Sequence, residues 1–378
     1  MICFGRNVAT GELISIEFGE TIKAVRPHES DSPGHDGSLL APGFFDLQVN
    51  GFGGVDFNNP ATSVNDIASA LDAMFATGVT RCLPTIITGP PEAMVACLRT
   101  LRRAQLELPH GRAIAGFHIE GPHIGAEDGP RGAHPLQWVR PPDLHEFQRW
   151  QSVTGNNIRI VTLSPHWPAA SEYIAAVRES GAVVSIGHTG ATSEQIAAAI
   201  DAGATLSTHL GNAAYKMLPK FPNCIWDQLA DDRLNASFIV DGLHLDASYL
   251  KAALRAKTVE RTILVTDAAA PAGAQPGHYR LGELDVELSA DDRVVLTGTR
   301  KLAGSALRMN KAIENLVKIG GIGLGDAVQT ATTNPAKLIA FEGRMRGFEA
   351  GERADIVVFR ETPQIQVEAV YLDGVKVT

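Results

Sequence analysis

Strand-like and helix-like segments alternate through most of this chain, and this alternation restricts its fold more than any other feature. Short runs rich in β-branched residues, such as IRIVTL and VVSIG, are each followed by a segment with apolar residues at positions i, i+3, i+4 and i+7. About eight such units follow one another, which favours a (β/α)₈ barrel over an open, doubly wound sheet. The chain has no GxGxxG loop, which weakens the dinucleotide-binding alternative.

The two ends of the chain have a different pattern. Residues 1–41 and 343–378 contain period-two segments such as ELISIEFG and ADIVVFRE, which predict strands. We expect these ends to form one small β-sandwich domain beside a barrel of residues 42–342, because chain termini commonly lie close together. A loop is expected at 28–38. Residues 278–298 alternate like a β-hairpin inserted late in the barrel.

Charge and composition exclude several classes of partner. The 378 residues carry a formal net charge of −9 without a basic cluster, which argues against nucleic acid but not against a small anionic substrate. The four cysteines form no CxxC pair and are expected to be free thiols in a reducing compartment. No apolar run approaches the roughly 18 residues that span a bilayer. We expect a cytoplasmic protein without a membrane partner.

Four polar residues stand at or just after strand-like runs, where a barrel displays reactive side chains. They are Glu120 in GFHIEGP, His188 in VVSIGHTG, His209 in TLSTHLG and Asp267 in LVTDAAAP. A lone histidine at a strand end is more often structural. Two imidazoles with a carboxylate, however, suit Zn²⁺ or Fe²⁺ with one position left open for water. The pattern therefore predicts a metal-dependent amide hydrolase.

The neighbouring polar residues have both structural and functional interpretations. Asp267 is either a turn residue or a general base that takes a proton from water and returns it to the departing amine. His134 lies in a Gly- and Pro-rich loop, where it is either solvated or able to donate to a carbonyl oxygen. His118 shares a strand face with Glu120 and points to the site or packs in the barrel. His244 follows another strand and could reach a substrate hydroxyl. No GxSxG or GxxxxGK[ST] motif is present, which excludes serine-hydrolase and P-loop chemistry.

A series of motifs resembles the N-acetylglucosamine-6-phosphate deacetylases of the amidohydrolase superfamily. The motifs are APGFFDLQVNGFGGVDF, GFHIEGP, GHTGAT, THLGNA, VDGLHLD, LVTDAAAPAG, LAGS and TTNPAKL. They run in order from about Ala41 to Asp355. The resemblance implies a (β/α)₈ barrel with a small β-sandwich, in a protein that is usually a homodimer. It also implies hydrolysis of the N-acetyl group of an aminosugar phosphate.

The resemblance also implies roles for individual residues. Glu120, His188 and His209 match the metal ligands, Asp267 the catalytic acid/base and His134 the histidine that polarises the acetyl carbonyl. Further residues are expected to bind the substrate, from the resemblance or from their position next to its motifs. They are Asn50, Ala133, His134, Asn212, Ala213, Lys220, Asp241, His244, Leu302, Ala303 and Gly304. One divalent ion per subunit is expected, zinc first, with iron, cobalt or manganese as alternatives.

Two positions depart from related patterns. Many amidohydrolases carry His-x-His on the first barrel strand, whereas this chain has Gln48 and Asn50 there. Amides are poor ligands for these ions, so we expect one metal rather than two. Lys220 stands where an arginine is common, which keeps the charge but loses the two-pronged geometry that suits phosphate.

Three alternatives stay open from the sequence. The same chemistry could act on an unphosphorylated or epimeric aminosugar or on another N-acyl substrate. A cyclic-amide hydrolase usually needs His-x-His and a carboxylated lysine, which favours it less. A barrel that has lost its activity would serve as a binding protein, but such proteins typically lose the ligands that this chain retains.

Overall fold

A computed structural model describes residues 1–28 and 37–378. Most of the loop expected at 28–38 lies outside the described residues. Among the described helices, none combines the length and the apolar character needed to cross a membrane.

The described chain contains strands and helices in the order that the sequence predicts. The strands are β1 Ile2–Asn7, β2 Leu13–Phe18, β3 Ile22–Pro27, β4 Leu39–Pro42, β5 Phe44–Val49, β6 Gly51–Phe52, β7 Val55–Asp56, β8 Val79–Ile87, β9 Phe117–Glu120, β10 Ile158–Leu163, β11 Val183–Ile186, β12 Ala204–Ser207, β13 Asn235–Ile239, β14 Thr262–Val265, β15 Gly277–Leu281, β16 Leu284–Leu288, β17 Val294–Leu296, β18 Ile356–Glu361, β19 Ile365–Leu372 and β20 Val375–Lys376. The α-helices are α1 Val64–Phe75, α2 Pro91–Glu107, α3 Leu144–Thr154, α4 Ala170–Glu179, α5 Ser193–Ala202, α6 Cys224–Ala230, α7 Ala247–Lys257, α8 Met309–Asn315, α9 Leu324–Thr330 and α10 Thr333–Leu338.

Eight parallel strands form the barrel. Their order is β5, β8, β9, β10, β11, β12, β13 and β14, and each neighbouring pair is parallel. The sheet closes between its first and last strands, where Val49 pairs with Ala268 and the Asp267 N–H donates to the Gln48 carbonyl at 2.9 Å. The predicted (β/α)₈ fold is therefore confirmed. Every residue of β8 is buried, as expected for a parallel strand that is covered by helices on the outer face and by side chains inside the barrel.

Local sequence signals explain where barrel helices begin and end. Ser63 and Asp66 form a reciprocal capping box at the start of α1. Thr192 and Gln195 form another at the start of α5, directly after the loop that carries His188. The α5 helix ends at Gly203, whose left-handed backbone turns the chain into β12. These caps fix the connections that carry site residues.

Both chain ends contribute to one seven-stranded sheet, in the order β20, β19, β18, β4, β1, β2, β3. The sheet curls over its own apolar cluster, since the rings of Phe18 on β2 and Tyr371 on β19 lie 5.1 Å apart although these strands are not neighbours. The expected two-layer packing is thus made by a single curled sheet. The exact domain boundaries stay a prediction.

A buried charge cluster joins this terminal sheet to the barrel. Arg81 on β8 contacts Asp355 at 2.7 Å and Asp373 at 2.7 Å, and Arg344 also pairs with Asp355. Burial alone would raise the pKa of Asp355, but the charges of Arg81 and Arg344 lower it to about 2. The two parts of the chain are therefore held together by ionised side chains that solvent does not screen.

The insertion at 278–298 forms three antiparallel strands, β15 to β17, rather than the two of a simple hairpin. Its inner face packs in one apolar cluster with the end of β8 and the Ala303 segment. Leu281 belongs to this cluster together with Ile87, and Leu284 packs against it. The insertion thereby forms an apolar wall above the mouth of the barrel.

Candidate active site

The candidate site lies at the carboxyl ends of four barrel strands. Glu120 is the last residue of β9, and His188, His209 and Asp267 each stand two residues beyond the end of β11, β12 and β14. All three of these later residues have left-handed backbones, with φ of 51°, 32° and 49°. Such a conformation costs roughly 1–3 kcal/mol for a residue other than glycine and tends to occur at functional sites.

Three side chains converge on one point. The Nε2 atoms of His188 and His209 lie 3.2 Å and 2.9 Å from the same Glu120 oxygen, and 3.2 Å from each other. Their exposed side-chain fractions are between 3% and 6%. A buried carboxylate with two imidazole nitrogens is the donor set that divalent zinc or iron prefers.

The surrounding contacts fit a bound cation. The Pro130 carbonyl lies 2.9 Å from Nδ1 of His188, which favours the tautomer whose Nε2 lone pair faces Glu120. Two imidazole nitrogens that face each other at 3.2 Å need a proton or a cation between them. Burial alone would raise the pKa of Glu120, but contacts with His188 and His209 hold this pKa well below its usual range, so the carboxylate is charged.

Asp267 faces this cluster through two amides. Gln48 Nε2 donates to Glu120 at 2.8 Å and to Asp267 Oδ1 at 3.1 Å, while Asn50 Nδ2 donates to the same Asp267 oxygen at 2.7 Å. Burial and the charge of Glu120 raise the pKa of Asp267 to about 6. Gln48 and Asn50, which depart from the His-x-His pattern, are thus amide donors that orient two carboxylates.

His134 lies beside the cluster on the β9–α3 loop. One of its ring nitrogens is within 4.8 Å of ligating atoms of Glu120 and His188, and Thr88 Oγ1 lies 2.7 Å from its Nδ1. Burial and the nearby His188 lower the pKa of His134 to about 3, so the ring is neutral near neutral pH. A neutral imidazole whose Nδ1 accepts the Thr88 hydroxyl keeps its proton on Nε2 and can act as a donor.

A cleft opens above these residues. It contains most of the residues selected from the sequence: Asn50, Glu120, Ala133, His134, His188, His209, Asn212, Ala213, His244, Asp267, Leu302, Ala303 and Gly304. Lys220 is not part of its wall, and its ammonium group lies 5.8 Å from the ring centre of Phe221.

Asp241 is also outside the cleft wall, but it contacts a residue that lines it. His244 Nδ1 lies 2.6 Å from Asp241 Oδ2, and the other oxygen of Asp241 accepts the backbone N–H groups of Leu243 and His244. The carboxylate therefore fixes the ring orientation of His244. His118 does not reach the cleft, since its ring contacts the Leu47 carbonyl and the Thr162 hydroxyl inside the barrel.

Sequence reasoning missed the apolar side of the cleft. Ile87, Ile239, Leu281 and Leu284 line it together with Gly132. The two leucines come from the insertion, whose alternation predicted strands but not their docking above the barrel. Thr88, which directly follows β8, was equally unmarked because an isolated threonine carries no motif.

Comparisons with known proteins agree with this geometry. The sequence profile described as "Amidohydrolase family" matches residues 39–377. The human N-acetylglucosamine-6-phosphate deacetylase is 34% identical over 347 residues, which are 89% of this chain and 83% of the human protein. The N-acetylgalactosamine-6-phosphate deacetylase of Escherichia coli O157:H7 is 29% identical over 93% of this chain and 91% of its own length.

A solved structure is similar over the whole chain. It is an N-acetyl-D-glucosamine-6-phosphate deacetylase variant from Mycobacterium smegmatis in complex with N-acetyl-D-glucosamine-6-phosphate. Its TM-score is 0.91 at 30% identity, with coverage of 100% of this chain and 99% of that one.

A closed parallel barrel with Glu120, His188 and His209 buried together at its carboxyl end is the arrangement expected of a metal-dependent hydrolase. The chain belongs to the amidohydrolase family, and it is an enzyme of that type. Its resemblance to the N-acetylglucosamine-6-phosphate deacetylases is confirmed.

Proposed function

We propose that this enzyme hydrolyses the N-acetyl group of an N-acetylhexosamine 6-phosphate, with N-acetyl-D-glucosamine 6-phosphate as the preferred substrate, in aminosugar catabolism. The products are the aminosugar phosphate and acetate. The observation that carries the proposal is the convergence of Glu120, His188 and His209 beside Asp267 at the barrel mouth. The names of the similar deacetylases support the choice of substrate.

Glu120, His188 and His209 would hold one divalent ion, which we propose to be zinc. When bound there, the ion lowers the pKa of a water molecule and polarises the acyl carbonyl. His134 also comes within ligand distance of Glu120 and His188, but its Thr88 contact and its place in the cleft favour a role toward substrate. Gln48 and Asn50 donate amide hydrogens toward carboxylates, which supports one metal rather than two.

Asp267 is the proposed acid/base. Its carboxylate takes a proton from the attacking water as the water oxygen bonds to the acyl carbon, and it returns the proton to the sugar nitrogen as the C–N bond breaks. The raised pKa of about 6 suits a group that must both accept and release a proton. Neutral His134 donates a hydrogen bond to the acyl oxygen as negative charge develops there.

The remaining lining residues would bind the sugar phosphate. Asn212, Ala213 and His244 line the cleft, and we propose that they bind the phosphoryl group. The Asn50 amide oxygen is buried and has no hydrogen-bond partner among the described residues, so it can accept a substrate N–H or O–H. Leu302, Ala303 and Gly304, with Ala133, would enclose the ligand.

We further propose a homodimer in the cytoplasm. The segment after His209 exposes Met217 (88%), Phe221 (68%) and Trp226 (51%), a set of large apolar side chains suited to a second copy. Lys220 lies within this segment and outside the cleft of its own chain, so we propose that it contacts the substrate phosphate in the cleft of the second copy. All four cysteines are free thiols, which is consistent with the reducing cytoplasm that we propose. Sedimentation equilibrium tests the dimer, and a monomer at micromolar concentration would contradict it.

Acetate release from a substrate panel tests the activity. We expect kcat/KM to be highest for N-acetyl-D-glucosamine 6-phosphate, lower for the galactosamine epimer and lowest for the unphosphorylated sugar. His209→Asn should abolish activity, whereas His145→Asn, on the exposed face of α3, should not. Equal kcat/KM with and without phosphate would remove the phosphate from the proposal, and no acetate from any sugar would refute it.

A further inference from the structure

Hydrogen bonds from several parts of the chain hold the backbone around Asp267. Asp267 has a left-handed φ of 49°, and its neighbours Thr266 and Ala268 are buried. Three hydrogen bonds join this segment to β5 and the two residues after it. The Asp267 N–H donates to the Gln48 carbonyl at 2.9 Å, and the Ala268 carbonyl accepts the Asn50 and Gly51 N–H groups at 2.7 and 3.2 Å. These belong to the closure of the barrel.

Side chains supply the other bonds. Asp46 accepts the Thr266 hydroxyl hydrogen and, through its other oxygen, the N–H groups of Thr266 and Gln48 at 3.2 Å each. The Thr266 hydroxyl oxygen in turn accepts the Ala268 N–H at 3.2 Å, which closes a small ring around Asp267. Asp46 and Thr266 therefore tie the backbone on both sides of Asp267 to the strand that carries Gln48.

Ser305, from a later part of the chain, also binds this segment. Its hydroxyl donates to the Thr266 carbonyl at 2.6 Å, and its N–H donates to the Asp267 carbonyl at 3.0 Å. Its own carbonyl accepts the Ala269 N–H at 2.9 Å. Ser305 is 2% exposed and directly follows Ala303 and Gly304, which line the cleft.

We propose that Asp46, Thr266 and Ser305 are positioning residues that hold Asp267 in its left-handed conformation, with the carboxylate aimed at the reacting atoms. The inference rests on the acid/base role proposed for Asp267. The backbone pairing that closes the barrel does not require this network, because the Asp46 carboxylate and the Ser305 hydroxyl bind the segment next to Asp267 through side chains. The Ser305 hydroxyl also accepts the Leu307 N–H at 3.1 Å. We call these three residues the clamp. Misplacing a reacting group by about 1 Å can cost roughly a hundredfold in rate, so removing a clamp hydroxyl should lower kcat.

Matched threonine variants test the proposal. Thr266→Val removes the hydroxyl at nearly constant shape, whereas Thr266→Ser keeps it. Thr262→Val is the control, because Thr262 begins β14, the strand that Thr266 directly follows, and is equally buried. The Thr262 hydroxyl donates to the Thr258 carbonyl and not to the segment next to Asp267. Ser305→Ala provides a second variant in case Thr266→Val does not fold.

We expect kcat to fall at least about tenfold in Thr266→Val and Ser305→Ala, with KM and metal content unchanged, because substrate and metal contacts are intact. Thr266→Ser should retain most of the wild-type kcat, and Thr262→Val should lower thermal stability without lowering kcat. Wild-type kcat in both clamp variants, or an equal loss in Thr262→Val, would overturn the proposal.

Hydrogen exchange separates this inference from the proposed activity. The amides of Asp267 and Ser305 should exchange faster in Thr266→Val than in Thr262→Val, whatever the substrate is. If the wild-type protein releases no acetate, the proposed function fails. The exchange comparison would still show whether the Thr266 hydroxyl holds the Asp267 segment in place. If acetate release is normal but exchange and kcat do not respond to the loss of the Thr266 hydroxyl, only the clamp fails.

Discussion

Replacing Asp267 with asparagine removes the acid/base with little change in shape. Gln48 and Asn50 both donate to one oxygen of Asp267, at 3.1 Å and 2.7 Å, and an amide oxygen can accept the same two hydrogen bonds. Each such bond is worth about 1 kcal/mol net, and the variant also avoids burying a charge. We therefore expect stability to change by no more than about 1–2 kcal/mol.

The expected effect on the reaction is much larger. General acid–base catalysis contributes roughly 10²–10⁴-fold, so kcat should fall by at least about a hundredfold. At about 1.36 kcal/mol per tenfold, this corresponds to a barrier higher by roughly 2.7–5.4 kcal/mol. The metal content should stay at that of the wild-type protein, because Glu120, His188 and His209 are unchanged.

The assay is acetate release at saturating substrate, with metal content and thermal unfolding measured on the same preparation. Asp72→Asn, on an exposed position of α1, is the control for an acid-to-amide change away from the site. Turnover within about tenfold of wild type in a metal-loaded, folded Asp267→Asn protein would refute the acid/base role, because such a loss is below the range of general catalysis.

Other substitutions test the buried ion pairs and the phosphate contact. Arg81→Met should destabilise the fold by about 3–5 kcal/mol in urea denaturation, because it leaves Asp355 and Asp373 buried with fewer partners; a loss below about 1 kcal/mol would contradict this. The pKa of Asp355 is lowered from 3.8 to about 2, so its stabilisation is complete above pH 4 and is lost as the pH falls from about 4 to about 2. Unfolding measured over that range should show a loss of about 2 kcal/mol from this group, and Asp355→Asn should be less stable at neutral pH but less sensitive to acid. Lys220→Ala should raise KM for phosphorylated substrate only, and an equal rise for the free sugar would exclude a phosphate contact.

The strand ends of the barrel could be predicted because their signals are local. Glu120, His188, His209 and Asp267 each follow an apolar run and precede a turn, and carboxyl ends of parallel strands meet at one face. The convergence of Glu120, His188 and His209 to within 3.2 Å of one another follows from barrel closure, which the number of repeating units indicated.

Contacts between distant segments could not be read from the sequence. Gln48 bridges Glu120 and Asp267, which lie 72 and 219 residues away, and nothing local marks that bond. The leucines of the insertion line the cleft because three strands dock against Ile87, whereas the alternation of residues 278–298 indicates only that strands form. Lys220 was selected by its distance from Asn212 along the chain, and the structure does not place it in the cleft wall.

The central claim is that one divalent ion held by Glu120, His188 and His209 supports hydrolysis of an N-acetyl group. The direct measurement is acetate release from N-acetyl-D-glucosamine 6-phosphate by purified protein, before and after removal of metal with a chelator and after addition of zinc, iron or cobalt. We predict about one ion per chain, loss of activity on chelation and recovery with a divalent ion. A metal-free protein that retains full activity, or one that stays inert with every ion, would contradict the account.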